Sequence, residues 1–162
     1  MALEPTPASS QSDARWRVAY VPTADDPTSA ADVITGDLLT YSFTPDGFNW
    51  TTTQATVEDK RLTLDQDLSR PGKKTETLEV KYVDSVTAGS AKLVLLEGTE
   101  GYLVVRRGIA NSTEWAASQK VDVITFVAGA QRPDAPVENG VDTISQTLYI
   151  TAPTQRSATL AA

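Results

Sequence analysis

Residues 90–151 decide the fold, and they read SAKLVLLEGTEGYLVVRRGIANSTEWAASQKVDVITFVAGAQRPDAPVENGVDTISQTLYIT. A short helix is predicted over residues 90–97, because Ser90 is a good N-cap and Gly98 stands where a helix-ending glycine belongs. Strands are predicted over residues 101–107, 120–127 and 142–151, with a proline-rich turn at residues 131–136. One small helix among alternating strands predicts a mainly β fold, a β-sandwich or barrel with one short flanking α-helix.

The N-terminal half adds strands with the two-residue alternation of a half-buried sheet. They are predicted over residues 15–21, 37–44, 48–57 and 75–83, with a loop at residues 23–31 and turns at Pro45-Asp-Gly47 and at residues 70–74. In the last of these strands, Leu78, Val80 and Tyr82 alternate with polar residues, which predicts one buried and one wet face. The region of about residues 50–70, charged in its middle, is predicted to be a projecting hairpin.

The chain divides into three segments by composition. Residues 1–14 are rich in Pro, Ser, Ala and Thr and are predicted to be a flexible N-terminal arm. Residues 15–151 are predicted to be a single β-sandwich domain. Residues 152–162 are predicted to be an extended C-terminal arm, in which residues 154–162 have β character but no expected partner within the domain.

Composition excludes several classes of protein. The 162 residues include no His and no Cys, so Ser-His-Asp and Cys-His nucleophile systems, zinc fingers and disulfides cannot be built from this chain. No apolar run approaches the roughly 20 residues of a membrane helix, so no membrane anchor is expected. The net charge is −7, and an acidic chain without a basic patch is a poor general nucleic-acid binder.

No catalytic, cofactor-binding or metal-binding residue is predicted. Asp65-Gln-Asp67 and Asp25-Asp26 lack the glycine and glutamate of a calcium loop, so we interpret them as solvated loop acids.

Charged and aromatic residues suggest contacts instead. Arg106 and Arg107 are interpreted either as an exposed strand end or as partners for an acidic neighbouring subunit. The three tryptophans are expected to be core or interface anchors, Trp50 more an interface residue than a core one.

Six stretches together carry a family resemblance. They are Arg15-Trp-Arg-Val-Ala-Tyr-Val-Pro22, Thr56-Val-Glu-Asp-Lys-Arg-Leu62, Ser69-Arg-Pro-Gly72, Thr77-Leu-Glu-Val-Lys-Tyr-Val83, Gly98-Thr-Glu-Gly-Tyr-Leu-Val-Val-Arg-Arg-Gly108 and Val121-Asp-Val-Ile-Thr-Phe-Val-Ala-Gly-Ala-Gln-Arg132. Over about residues 15–160 the chain resembles the tail tube (major tail) proteins of long, non-contractile-tailed bacteriophages (siphoviruses). The resemblance is to phages of actinobacterial hosts, and the Thr/Ala/Val-rich composition fits a host with a high-GC genome.

The resemblance implies a structural virion protein with no enzymatic activity and no cofactor. Copies would assemble into rings, hexameric by resemblance, that stack into a tube and conduct the genome during ejection. Partners implied are the tail terminator, the tape measure and the distal tail proteins, with assembly in the bacterial host cytoplasm. DNA would pass through the lumen without specific binding, and the bases Arg106, Arg107 and Lys81 would lie at subunit contacts or outside.

The alternative is a free β-sandwich binding module for carbohydrate or protein. Such a module should expose an aromatic platform and needs no arms at both ends. An enzyme is a third class, for which the sequence offers neither a triad nor a metal motif.

Overall fold

The computed structural model of the chain describes residues 7–9, 11–63 and 65–162. Strands make up 51% of the structure and helices 6%, which confirms the mainly β fold. No helix among the described residues is long and apolar enough to cross a membrane. In chain order the elements are β1 (Trp16–Pro22), α1 (Ala30–Thr35), β2 (Asp37–Leu38), β3 (Phe43–Asp59), β4 (Leu68–Val83), α2 (Ala91–Val94), β5 (Glu100–Arg107), β6 (Lys120–Pro133), β7 (Thr143–Ile150) and β8 (Gln155–Thr159).

The eight strands form one antiparallel sheet that curls into a half-barrel. Its order is β2-β1-β5-β6-β7-β4-β3, and β8 also pairs with β6. One edge of β6 is taken by β5, while β7 and β8 share the other. The sheet therefore ends in β2, which has two residues, and in β3, which has seventeen.

Apolar side chains are buried on both faces of the sheet. One face carries the larger core, formed by Val18, Leu39, Leu78, Val80, Tyr82, Ala91, Leu95, Leu103, Val105, Ile124, Phe126, Ala128, Ile144 and Leu148. The other face is buried only over β1, β5 and the start of β6, by Ala19, Val21, Ala30, Val33, Val104, Trp115, Val121, Val123 and Leu160. The predicted alternation in β4 is confirmed, since Leu78, Val80 and Tyr82 are all in the core.

Pro45-Asp-Gly47 is a bulge inside β3, so the predicted turn there is wrong. Phe43 pairs with Tyr82 and Phe48 with Val80, so β3 has three extra residues at this point. A Cβ on Gly47 would lie 2.0 Å from the Lys81 carbonyl oxygen, so only glycine fits the close approach.

The other two predicted turns also coincide with strand. Residues 70–74 lie in β4, where Gln54 pairs with Lys74 but Thr56 with Pro71, leaving one extra residue in β4. Residues 131–133 of the predicted turn at 131–136 belong to β6. Proline and glycine interrupt a strand ladder at bulges for the same reasons that they favour turns, so their presence did not distinguish the two.

The N-terminal half contains an additional helix. Helix α1 begins inside the predicted loop at residues 23–31, and its N-cap Ser29 accepts a hydrogen bond from the Asp32 amide. The strand predicted over residues 37–44 is interrupted: β2 ends at Leu38, and β3 begins at Phe43.

Helix α2 is shorter than the predicted helix over residues 90–97. The Leu95 backbone leaves the helical region, and Ser90 donates its hydroxyl hydrogen bond to the Ser85 carbonyl rather than capping the helix. The side-chain amides of Gln131 and Gln146 both donate to the Leu95 carbonyl, at 3.1 and 2.8 Å. These bonds satisfy a carbonyl that the helix end leaves free and hold α2 on the sheet.

Residues 154–162 have a partner inside the domain, which corrects the sequence expectation. Strand β8 pairs with residues 120–123 of β6, and Leu160 is buried in the second core. The Ala161 backbone exchanges hydrogen bonds with Thr28 and Ala30 near α1. At the other end, residues 1–6 and 10 of the predicted arm lie outside the described residues, and the Ala14 carbonyl accepts from the Asn111 amide at 2.7 Å.

Candidate assembly surfaces

Strand β3 forms a long sheet edge. Among the described strands only β4 pairs with it, and residues 51–58 are exposed. Three threonines, Thr51 to Thr53, follow Trp50 on this strand. A long unpaired edge is a template for pairing with another chain, so this edge is a candidate contact between copies.

The outer part of the β3–β4 hairpin is exposed on both faces. Leu62 at its tip is 94% exposed, and Val57 and Leu68 nearby are about half exposed. Apolar residues presented this way on a polar hairpin point to a contact surface rather than to part of the core.

Exposed ion pairs lie at the hairpin tip. Asp59 accepts from Arg61 at 3.0 Å and from Arg70 at 3.2 Å. Lys60 lies 2.9 Å from Glu58 and 3.9 Å from Asp67, so Asp67 of the Asp65-x-Asp67 motif has a lysine as its neighbour.

The base of the hairpin is tied to the C-terminal segment. Arg156 stacks over the Trp50 ring at 4.2 Å and donates to Thr52 Oγ1 at 2.9 Å. It also donates to Glu76 Oε1 at 3.2 Å, while Thr154 donates to the second Glu76 oxygen at 2.6 Å. Burial raises the pKa of Glu76, but these hydrogen bonds outweigh it, and the pKa lies below its usual value.

One face of β7, β4 and β3 is not covered by the second core. We call it the open face, and its side chains are those of Asn49, Thr51, Thr77, Glu79, Lys81, Arg132, Thr143, Ser145, Thr147 and Tyr149. Asn49, Glu79 and Thr147 stand in one cross-strand row, and Lys81, Ser145 and Arg132 in another. The open face is therefore a polar wall rich in hydroxyl groups.

Charges on the open face balance. The Asp134 carboxylate accepts from the Thr143 and Ser145 hydroxyls at 2.8 Å, and these bonds lower its pKa. Asp134 lies against this face through these two bonds, and with Glu79 it gives two acids against the two bases Lys81 and Arg132. Such a wall lacks the excess positive charge that retains phosphates.

Arg106 is fully buried, so both sequence interpretations of it are wrong. Its guanidinium lies 4.9 Å from the Trp115 ring centroid and donates to the carbonyls of Ala110, Thr113 and Glu114 and to Gln119 Oε1. Burial lowers its pKa, with the neighbouring charge of Arg17 acting in the same direction. Arg106 therefore holds residues 110–119 against the sheet.

Arg107 has an acidic partner within its own chain. Its guanidinium binds the buried Asp122 carboxylate and lies 5.6 Å from the Trp16 ring centroid. Trp16 itself lies between a polar groove of 370 Å³ and a more apolar one of 540 Å³, the latter also lined by Tyr41, Phe43 and Phe48. The three tryptophans thus differ: Trp115 is buried, whereas Trp16 and Trp50 are partly exposed.

The weak metal motifs have structural roles or none. Asp26 accepts from the Thr28 amide and hydroxyl, at 2.8 and 2.7 Å, which forms a local turn before α1. Within the described ranges, no three acidic, His or Cys side chains are grouped to hold a metal ion.

Sequence reasoning missed the residues that tie the hairpin to the C-terminal segment. Trp50 and Glu76 are separated from Arg156 by 80 residues or more, and nothing local marks them as partners. The one sequence signal is the β character of residues 154–162, which indicates a strand but does not identify its partner.

A comparison with known families matches nearly the whole chain. The family model described as "Phage tail tube protein" matches residues 4–162, nearly the whole chain. In the search of curated proteins, nothing matches the chain.

Proposed function

The chain belongs to the phage tail tube protein family, and on that premise we propose that its copies form cyclic rings that stack into the conduit for the genome. As a family member it is a structural, virion protein of the phage tail that assembles into a tube. The match over residues 4–162 is the observation that carries the proposal. We propose that each ring contains six copies, as the family resemblance of the sequence implies.

Edge pairing supports ring formation. The long edge of β3 would pair with a neighbouring copy, and a head-to-tail contact of this kind closes into a ring if the rotation between copies allows it. Closure removes a free edge that would otherwise promote aggregation. The Thr-rich strand supplies backbone groups for this pairing without adding an exposed apolar strip.

The hairpin supports stacking. From Trp50 to Asp59 the strand reaches about 30 Å, at about 3.3 Å per residue. Its tip presents Leu62 far from the core, where another ring could cover it. We propose that the hairpin makes contacts along the tube, together with the N-terminal arm of residues 1–14.

We propose that the open face lines the lumen. A wall of hydroxyl groups with balanced charges would neither hold nor strongly repel a passing duplex. Lys81 shares this face with Ser145, so under this proposal it lies in the lumen, which differs from the sequence expectation. The presence of Asp134 and Glu79 keeps the wall neutral despite that lysine.

We further propose a long, non-contractile tail of a phage that infects an actinobacterium. The tube would meet the tail terminator, the tape measure and the distal tail proteins, and assembly would take place in the host cytoplasm. These points rest on the resemblance of the sequence stretches.

The family match favours this function over a free binding module. The groove beside Trp16 and Tyr41 is the aromatic surface that such a module would use. Binding of carbohydrate or a foreign protein there by a strictly monomeric chain would favour the alternative.

Electron microscopy and light scattering test the proposal. Concentrated protein should form rings and tubes. A variant with residues 55–73 replaced by Asn-Gly joins the paired Gln54 and Lys74 by a tight turn and keeps residues 43–54 of the β3 edge. It should fold and form rings through the remaining edge, without tubes. Glu138→Ala, a substitution in an exposed loop that keeps the full hairpin, is the matched control and should form tubes. Strictly monomeric protein at all concentrations and salts would overturn the assembly proposal, and normal tubes from the shortened variant would overturn the role of the hairpin.

A further inference from the structure

Three parts of the chain that are distant in sequence meet at the hairpin base. Trp50 and Thr52 come from β3, Glu76 from β4, and Arg156 from β8. The Arg156 side chain is half exposed and that of Glu76 is 16% exposed, so the contact lies at the surface but is largely closed around the carboxylate. Both Glu76 oxygens are engaged, since Thr154 donates to the second one.

The segment that supplies Arg156 is fixed at its far end. Residues 154–161, here called the strap, pair with β6 through β8 and then enter the second core at Leu160. Ala161 is hydrogen-bonded to Thr28 and Ala30 beside α1. The strap therefore begins at the hairpin base and ends in the second core, on the face of the sheet opposite the larger core.

Among the described residues, the outer hairpin has no comparable support. Beyond Leu78, β4 leaves β7, and only β3 and β4 pair with each other. A two-stranded ribbon with both faces in water bends easily at its base. At a length of about 30 Å, a tilt of about 10° at the base moves the tip by about 5 Å.

We propose that the strap sets the angle of the hairpin, with Arg156 as the positioning residue. Arg156 acts by bracing Trp50 and Glu76 at once, from a segment that cannot move with the hairpin. The planar guanidinium suits both tasks, because it stacks on the indole while it donates in its own plane. The consequence for assembly rests on the proposed function, since a fixed angle matters where the tip must meet another copy.

A distance measurement between two spin labels tests the positioning directly. The chain has no cysteine, so Ser69→Cys on the hairpin and Ala116→Cys in an exposed loop give two defined labelling sites. Labelled protein is diluted until it is monomeric. Pulsed electron resonance then gives the distribution of label separations for the parent, Arg156→Ala, Arg156→Lys and the control Arg61→Ala.

We expect a narrow distribution for the parent and for Arg61→Ala. Arg156→Ala should broaden it about two-fold, because hairpin bending is no longer restrained. Arg156→Lys should fall between them, since lysine keeps the charge but loses the planar fork. Equal widths for the parent and Arg156→Ala, with circular dichroism showing both folded, would overturn the proposal.

Tube formation is measured separately on the unlabelled variants. A broadened distribution with impaired tubes supports both the strap and the stacking role of the hairpin. A broadened distribution with normal tubes supports the strap and counts against stacking by the hairpin.

Discussion

Replacing Arg106 by methionine tests whether a buried guanidinium without a contacting carboxylate stabilises this fold. Arg106 donates to four acceptors and stacks on Trp115. Methionine keeps most of the length of the side chain, so the variant removes hydrogen bonds and charge with little change in volume.

The magnitude follows from what each acceptor retains. The Ala110 carbonyl keeps the Thr113 backbone amide as a donor, and the Thr113 carbonyl keeps Arg17. The Glu114 carbonyl keeps the Gln119 side-chain amide. Gln119 Oε1 is the acceptor whose described hydrogen bond comes from Arg106 alone.

One unsatisfied acceptor costs about 1–3 kcal/mol, and the lost stacking about 1 kcal/mol. We therefore expect Arg106→Met to lower the free energy of unfolding by about 2–4 kcal/mol.

Urea unfolding of dilute, monomeric protein, followed by tryptophan fluorescence, measures this change. The midpoint should fall with an unchanged slope. Arg61→Ala is the matched control, because its exposed ion pair with Asp59 is screened by water and should contribute little to stability. If Arg106→Met is as stable as the parent protein, the cost of dehydrating the guanidinium cancels its contacts, and the reasoning fails.

Three further outcomes are expected. Tyr82→Phe should lower the free energy of unfolding by about 1–2 kcal/mol, because the buried Gln146 Oε1 loses the Tyr82 hydroxyl as its donor. Burial raises the pKa of Tyr82 to about 12. The stability that the neutral Tyr82 hydroxyl contributes is therefore fully present below the unfolded pKa of about 10 and is lost as the pH rises towards 12. Across this pH range the urea midpoint should fall less for the phenylalanine variant than for the parent protein. Because folding lowers the pKa of Glu76, its ionised carboxylate stabilises the fold above the unfolded pKa of about 4.3, and this stabilisation is lost as the pH falls through the folded pKa. Glu76→Gln should therefore lose less stability than the parent protein on acidification, measured by urea unfolding at each pH. Assembled protein should show no salt-dependent retention of duplex DNA in a filter-binding assay, and a slope that indicates several neutralised phosphates would contradict a neutral lumen.

Local patterns in the sequence predicted most of the strands. The alternation of Leu78, Val80 and Tyr82 identified the buried face of β4, and β5 and β7 lie within one residue of their predicted bounds. Where proline or glycine lies inside a strand, the local sequence predicted a turn, because turns and bulges favour the same residues for the same backbone conformations. The distinction depends on the partner strand, which is distant in sequence.

The candidate surfaces were predicted less well, for a similar reason. Composition and alternation suggested a hairpin and a wet face, but not that Arg106 would be buried. A charge at a strand end is usually exposed, and its burial here depends on residues 110–119 folding over the sheet. Strand β8 likewise pairs with a part of the β6 edge that β7 leaves free. The sequence of residues 154–162 alone does not indicate this partner.

Between its two bulges, the hairpin pairs residues 51–53 with residues 75–77, and almost all of them are threonine. Such a repetitive polar run offers little side-chain pattern to distinguish one alignment from another that is shifted by two residues. A slip of that size would move the tip by about 7 Å. Because the bulges at Gly47 and Pro71 flank the run, a slipped ladder would misplace both, and the strands are held in one alignment. Every copy then carries a hairpin of the same length, as the repeating contacts of a regular polymer require.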